Sequence, residues 1–115
     1  MPAVNSHINY IEFKARDLIK IKAFYTKAFD WSFTDYGPDY TAFANSGIEG
    51  GFMRTDEIIT HGALVVLYHD DLEGMLEKVK ESGGTIAKEI FSFPGGRRFH
   101  FHDPSGNELA IWSDH

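Results

Sequence analysis

The chain states one plan twice, and that doubling limits its fold more than any other feature. Asp17-Leu18 and Asp71-Leu72 stand 54 residues apart, and each pair opens a stretch with apolar residues at helical spacing. "NSGIE" at 45–49 and "PSGNE" at 104–108 share Ser-Gly-x-Glu, with Ser46 and Ser105 separated by 59. A repeat of this length in a chain of 115 residues means one duplication, not an array of short repeats.

The element order follows from periodicity. "INYIEFKA" at 8–15 alternates with β-branched and aromatic residues and reads as a strand. Asp17 stands at an N-cap position, and Leu18, Ile21, Phe24, Tyr25 and Ala28 form the inward face of the helix behind it. "DWSFTDYG", "DYTAFANSG" and "EGGFMR" are three short strands divided by turn residues. In the second half "GALVVLYH" is an apolar strand, and Asp71 caps a helix with Leu72, Met75, Leu76 and Val79 inward. Gly83-Gly84 ends that helix, and "TIAKEIFSF", "RRFHFHD" and "ELAIWSD" supply three more strands.

Each half therefore reads βαβββ, and the fold class is α+β. The modules span about 5–56 and about 61–114 within a single domain, 1–115. A four-stranded mixed sheet with one helix on one face leaves its other face bare. Two such cupped sheets are expected to cover each other, with a ligand cavity between them.

Composition removes several function classes. There is no cysteine, so disulfides, zinc–thiolate sites and thiol nucleophiles are excluded. Acids outnumber bases 17 to 11, and Arg97-Arg98 is the only start on a basic face, which argues against nucleic acid. "MPAVNSHINY" lacks a charged segment followed by an apolar run, so no signal peptide is read. No stretch approaches the ~20 apolar residues of a membrane span. The expectation is a soluble cytoplasmic protein handling a small molecule, with no membrane partner.

"INYIEFKARDL" running into "KAFYTKAFDW", then "LVVLYHDDLEGMLEKVKESGGTI", and above all the closing "FHFHDPSGNELAIW" carry a family resemblance. Over nearly its whole length the chain resembles the vicinal oxygen chelate superfamily: glyoxalase I, bleomycin-resistance proteins, fosfomycin-resistance transferases and extradiol dioxygenases. The closing segment looks closest to glyoxalase-like members. The resemblance implies paired βαβββ modules around a cavity, and a homodimer, often with modules paired across the subunit interface.

It also implies four positions for a divalent metal. Counting back seven residues from each capping Asp gives Tyr10 and Leu64; counting forward seven from Asp103 gives Ala110, which the repeat maps to Gly51. Metal-dependent members carry His, Glu or Gln there. Three of the four side chains here offer no donor to a hard cation. The usual metal site is thus expected to be absent and no cofactor is expected; a divalent metal at a non-standard site, drawing on His61, His100 or His102, stays open.

Alternation places further side chains on the face of those four positions. Ile8 and Glu12 accompany Tyr10, Val66 and Tyr68 accompany Leu64, and Glu108 and Trp112 accompany Ala110. The superfamily's substrate contacts on strand seven correspond to Arg98 and His100, with His102 following by parity and Phe99 and Phe101 packed under the helix. The candidate ligand-binding residues are Tyr10, Tyr68, Arg98 and Trp112, with Met53 or Arg54 from the fourth strand. Arg98 would hold a carboxylate or phosphate. His100 and Glu12 are the candidate catalytic acid–base pair.

Three functions compete at this point. The first is metal-independent binding of a small anionic or aromatic molecule. The second is lyase or isomerase chemistry of glyoxalase type, through an unusual metal site or His100 with Glu12. The third is an interaction module whose cavity is vestigial.

Overall fold

A computed structural model describes residues 3–115. The elements run β1 (Ile8–Ala15), α1 (Leu18–Phe29), β2 (Ser32–Asp35), β3 (Tyr40–Ala44) and β4 (Gly50–Arg54). The second series is β5 (Ala63–Tyr68), α2 (Leu72–Glu81), β6 (Thr85–Phe93), β7 (Gly96–His102) and β8 (Glu108–Ser113). Both βαβββ modules are present, and the α+β class stands. β1 and β6 have the bounds the sequence predicts.

The described residues divide into two compact units, Tyr10–Leu64 and Val65–His115, the second including residues 3–9. Within the first unit the strand order is β2-β3-β4-β1, with β1 and β4 parallel and the other pairs antiparallel. The second unit repeats it as β5-β8-β7-β6, with β5 and β8 parallel. Register carries the repeat down to single residues. Glu12 pairs with Gly51, and Val66 pairs with Ala110, which are the same two positions moved by 54 and 59.

Both helices start where a side chain can satisfy an otherwise orphaned backbone donor. The Asp17 carboxylate accepts from the Lys20 amide at 3.1 Å, and Asp71 accepts from the Gly74 amide at 3.1 Å. α2 ends at Glu81 with Ser82 as its C-cap, and Gly83 follows at φ +103°, a backbone state that costs glycine nothing.

Each unit has its own apolar core. In the first, Ala15, Leu18, Phe43 and Phe52 are buried, with Phe13, Ile21, Tyr25, Trp31 and Phe33 packed around them. In the second, Leu72, Leu76, Phe99 and Ile111 are buried against Met75, Val79, Ile86, Ile90 and Phe101. Burying each of the larger side chains contributes about 1.5–3 kcal/mol. Phe99 and Phe101 lie in the core that α2 covers, as strand parity predicts.

The inward face of α1 differs from expectation at two positions. Phe24 is 56 % exposed and Ala28 is exposed. Phe24 instead sets its ring edge-on against Tyr25, at 4.9 Å between centroids. Tyr25 turns inward and stacks on Trp31 at 4.6 Å. An apolar stripe of five proved wider than the surface the sheet offers it, so the flanking residues stay outside.

Candidate functional site

The second unit gathers the chemistry on one face of its sheet. β7 and β8 pair so that Arg98 stands beside Trp112, His100 beside Ala110 and His102 beside Glu108. β5 adds Val66 beside Ala110 and Tyr68 beside Trp112. On the far side of β7, β6 brings Lys88 beside His100 and Phe91 beside Arg98.

Two register shifts in β6 produce that last arrangement. One falls between Ile86 and Lys88, the other between Lys88 and Phe91, and each inserts one residue into β6. Strict alternation from Lys88 would turn Ile90 to the site and Phe91 to the helix. The second shift exchanges them: Ile90 packs in the α2 core and Phe91 stands by Arg98.

Adjacent arginines divide between the faces. Arg97 reaches Glu73 on α2, its Nη1 2.6 Å from the carboxylate, and this ion pair holds Glu73 below the usual carboxylate range. Arg98 turns the other way. Its guanidinium carbon lies 5.4 Å from the centre of the Phe91 ring and 5.7 Å from that of Phe93, within cation–π range of both.

His100 is 3 % exposed, and its Nδ1 lies 2.9 Å from Glu108 Oε2. Burial pushes the imidazole below its ordinary value, and the positive charges of Arg98 and Lys88 add to that; the Glu108 carboxylate opposes them. The hydrogen bond to His100 holds Glu108 below the carboxylate range. A neutral ring beside an ionised carboxylate keeps its one proton on Nδ1 and donates it to Glu108. Nε2 is then a lone pair. It is buried and has no hydrogen-bond partner among the described residues. His102 Nε2 sits 3.5 Å from the other oxygen of Glu108.

The aromatic part is anchored by polar contacts. The Trp112 indole donates to Asn9 Oδ1 at 3.1 Å and meets Tyr68 edge-on at 5.2 Å. The Tyr68 hydroxyl donates to Asp114 Oδ1 at 2.6 Å, and that bond pushes its pKa up to about 12. Tyr68 therefore contributes its ring here and no acid. Asp103 belongs to the turn after β7, where Oδ1 accepts from the amides of Ser105 at 2.9 Å and Asn107 at 3.0 Å.

The remaining candidates lie in the first unit. Tyr10 and Glu12 share a face of β1, and Glu12 is 8 % exposed. The phenols of Tyr10 and Tyr40 hydrogen-bond each other. Tyr40 also bears on Gly51: a Cβ there would lie 2.5 Å from its hydroxyl and 2.7 Å from the Thr41 carbonyl oxygen. Of the pair on β4, Met53 has the parity of Gly51 and Glu12. Arg54 has the parity of buried Ala15 and Phe52, and its guanidinium binds Asp56 at 2.7 Å in an exposed ion pair.

Sequence reasoning thus placed Tyr68, Arg98, His100 and Trp112 on one face, and there they are. It put Glu108 on that face without giving it a role. It missed Phe91, Phe93 and Lys88, because a β-bulge leaves no mark in a hydrophobic pattern.

Two βαβββ modules with matching strand order define a duplicated α+β protein of the glyoxalase type. The chain belongs to the Glyoxalase/Bleomycin resistance protein/Dioxygenase superfamily, whose family model matches residues 7–111. No curated protein matches the sequence. Among solved structures it is similar to a glyoxalase/bleomycin resistance protein/dioxygenase superfamily member from Vibrio splendidus 12B01, with TM-score 0.70 and 17 % identity, over 90 % of this chain and 96 % of that one. It is similar to methylmalonyl-CoA epimerase from Mycobacterium tuberculosis, with TM-score 0.72 and 12 % identity, over 98 % and 91 %. It is also similar to the Mn(II)-bound glyoxalase from Novosphingobium aromaticivorans, with TM-score 0.69 and 23 % identity, over 96 % of this chain but 39 % of that one.

The superfamily metal does not fit the residues present. The four implied positions hold Tyr10, Gly51, Leu64 and Ala110, which together offer one phenol as a donor. Gly51 is closed off by Tyr40 and Thr41, and Ala110 is fully buried. Among the described residues no group of three or more His, Asp or Glu side chains is placed to hold a metal ion.

Proposed function

We propose that this protein binds a small aromatic anion on the β5-β8-β7-β6 face, without the superfamily's divalent metal, and works as a homodimer. One observation carries the reading: Arg98, between the rings of Phe91 and Phe93, shares a face with Trp112 and with the buried open Nε2 of His100. Arginine offers a carboxylate a planar fork of donors, and the rings offer an aromatic body somewhere to pack. Pockets for small ligands combine such apolar walls with a few aimed polar groups.

Calorimetric titration with benzoate tests this. Binding is expected, and Arg98→Ala should weaken it at least ~10-fold, the loss of a charge-assisted hydrogen-bonded contact. Equal affinity in Arg98→Ala would remove Arg98 from the site. Stoichiometric divalent metal in protein purified without an affinity tag would overturn the metal-free part.

A second reading is lyase or isomerase chemistry, and the His100–Glu108 pair favours it. A neutral imidazole oriented by a carboxylate is the arrangement of a general base. On this reading Glu108 orients the imidazole that acts as the base. Replacing His100 with Ala would then abolish turnover and leave the fold intact; unchanged turnover would sink the role.

A further inference from the structure

We infer that the ligand of this site is a hydroxyaryl carboxylate, an aromatic ring with its carboxylate at one end and a hydroxyl at the other. The inference rests on the binding reading above and narrows it through the chemistry of one nitrogen. Glu108 fixes the His100 proton on Nδ1, so Nε2 can only accept a hydrogen bond. It is buried and has no partner among the described residues. Buried polar atoms are nearly always paired, so this one asks for a donor from outside the protein. A carboxylate cannot supply one, but a hydroxyl can.

Spacing selects the isomer. Arg98 and His100 are two residues apart on one face of β7. Such neighbours are ~6.7 Å apart along a strand, close to the ~6.4 Å between a carboxylate oxygen and the hydroxyl oxygen of a para-substituted benzoate. A hydroxyl beside the carboxylate would fall at Arg98, far from Nε2. Aromatic rings stand beside both anchors: Phe91 and Phe93 lie within cation–π range of Arg98. Phe91 is 5.8 Å from His100, and Phe93 is 6.4 Å from Trp112, both centre to centre.

The charged groups near His100 agree with a neutral acceptor. Arg98 and Lys88 oppose its protonation, Glu108 favours it, and His102 contacts Glu108 instead of the imidazole.

Titration calorimetry at neutral pH with 4-hydroxybenzoate, 4-methoxybenzoate, benzoate and salicylate decides the matter. 4-Hydroxybenzoate is expected to bind at least ~10-fold tighter than benzoate or 4-methoxybenzoate, because both leave the acceptor unpaired. Salicylate should gain nothing over benzoate. In His100→Ala 4-hydroxybenzoate should bind no tighter than benzoate or 4-methoxybenzoate. If that variant does not fold, Glu108→Gln takes its place. Glu108 is a positioning residue, and a glutamine there can donate or accept, so the tautomer is no longer fixed. The hydroxyl-over-methoxy ratio should then fall at least ~3-fold. An unchanged ratio in Glu108→Gln overturns the inference. Equal, Arg98-dependent affinity for benzoate and 4-hydroxybenzoate overturns the inference but leaves the binding reading standing. No binding of any of the four overturns both.

Discussion

His100 holds its proton on one nitrogen because burial and two nearby cations outweigh one carboxylate. That balance makes stability depend on pH. The folded pKa of His100 lies below its ordinary value of 6.5, so on acidification the unfolded chain takes up this proton first. The contribution is whole above 6.5 and is lost as the pH falls through the lowered folded value. Glu108 adds a second loss at lower pH, since its folded pKa lies below the ordinary 4.5. The urea midpoint should drop as the pH is taken from 7 to 5, and His100→Gln should flatten that slope. A midpoint equally pH-dependent in His100→Gln would place the titration elsewhere.

Of the elements, β6 shows where a sequence stops speaking. Capping aspartates, helix spacing and strand alternation all mark the sequence, so nearly every element could be read to within two residues at its ends. The family resemblance put Arg98 and His100 on one face of β7, and they share it. A β-bulge is different: it depends on how one strand meets its neighbour, which is a long-range fact. That is why Phe91 was missed while Phe99 was found. Phe24 failed for a similar reason, since the width of a buried stripe is set by the sheet beneath it. Deleting Glu89 should remove the second shift, return Ile90 to the site face and turn Phe91 toward α2. The variant should lose at least ~10-fold in benzoate affinity beyond any loss of stability, because Arg98 would face an aliphatic chain. Wild-type affinity in the deletion would show that the strand re-registers elsewhere.

For the whole molecule, duplication decides the architecture. Two units repeat strand order, register and capping, and their matched pairs, Glu12 with Gly51 and Val66 with Ala110, show where they have diverged. One copy holds a buried acid and a pair of phenols; the other holds the Arg98–His100–Glu108 set. The proposed homodimer gives a direct expectation. Sedimentation should report about twice the chain mass of 13.0 kDa, and a single-chain mass at micromolar concentration would exclude the dimer. Large apolar side chains such as Ile19 and Ile58 remain about four-fifths exposed in the single chain. Scattered singly they are ordinary, so the mass measurement rather than their exposure must carry the conclusion.

The crowding at Gly51 limits what substitution alone can build there. A carboxylate cannot be placed at position 51 by a single substitution, because the Tyr40 ring and the Thr41 carbonyl already occupy the room its first carbon would need. Trimming Tyr40 first would remove only half of the obstacle; the other half is the main chain of β3. Building a metal site of the superfamily's kind at this position therefore needs a shift of a strand, and stepwise exchange of ligand residues alone does not reach it.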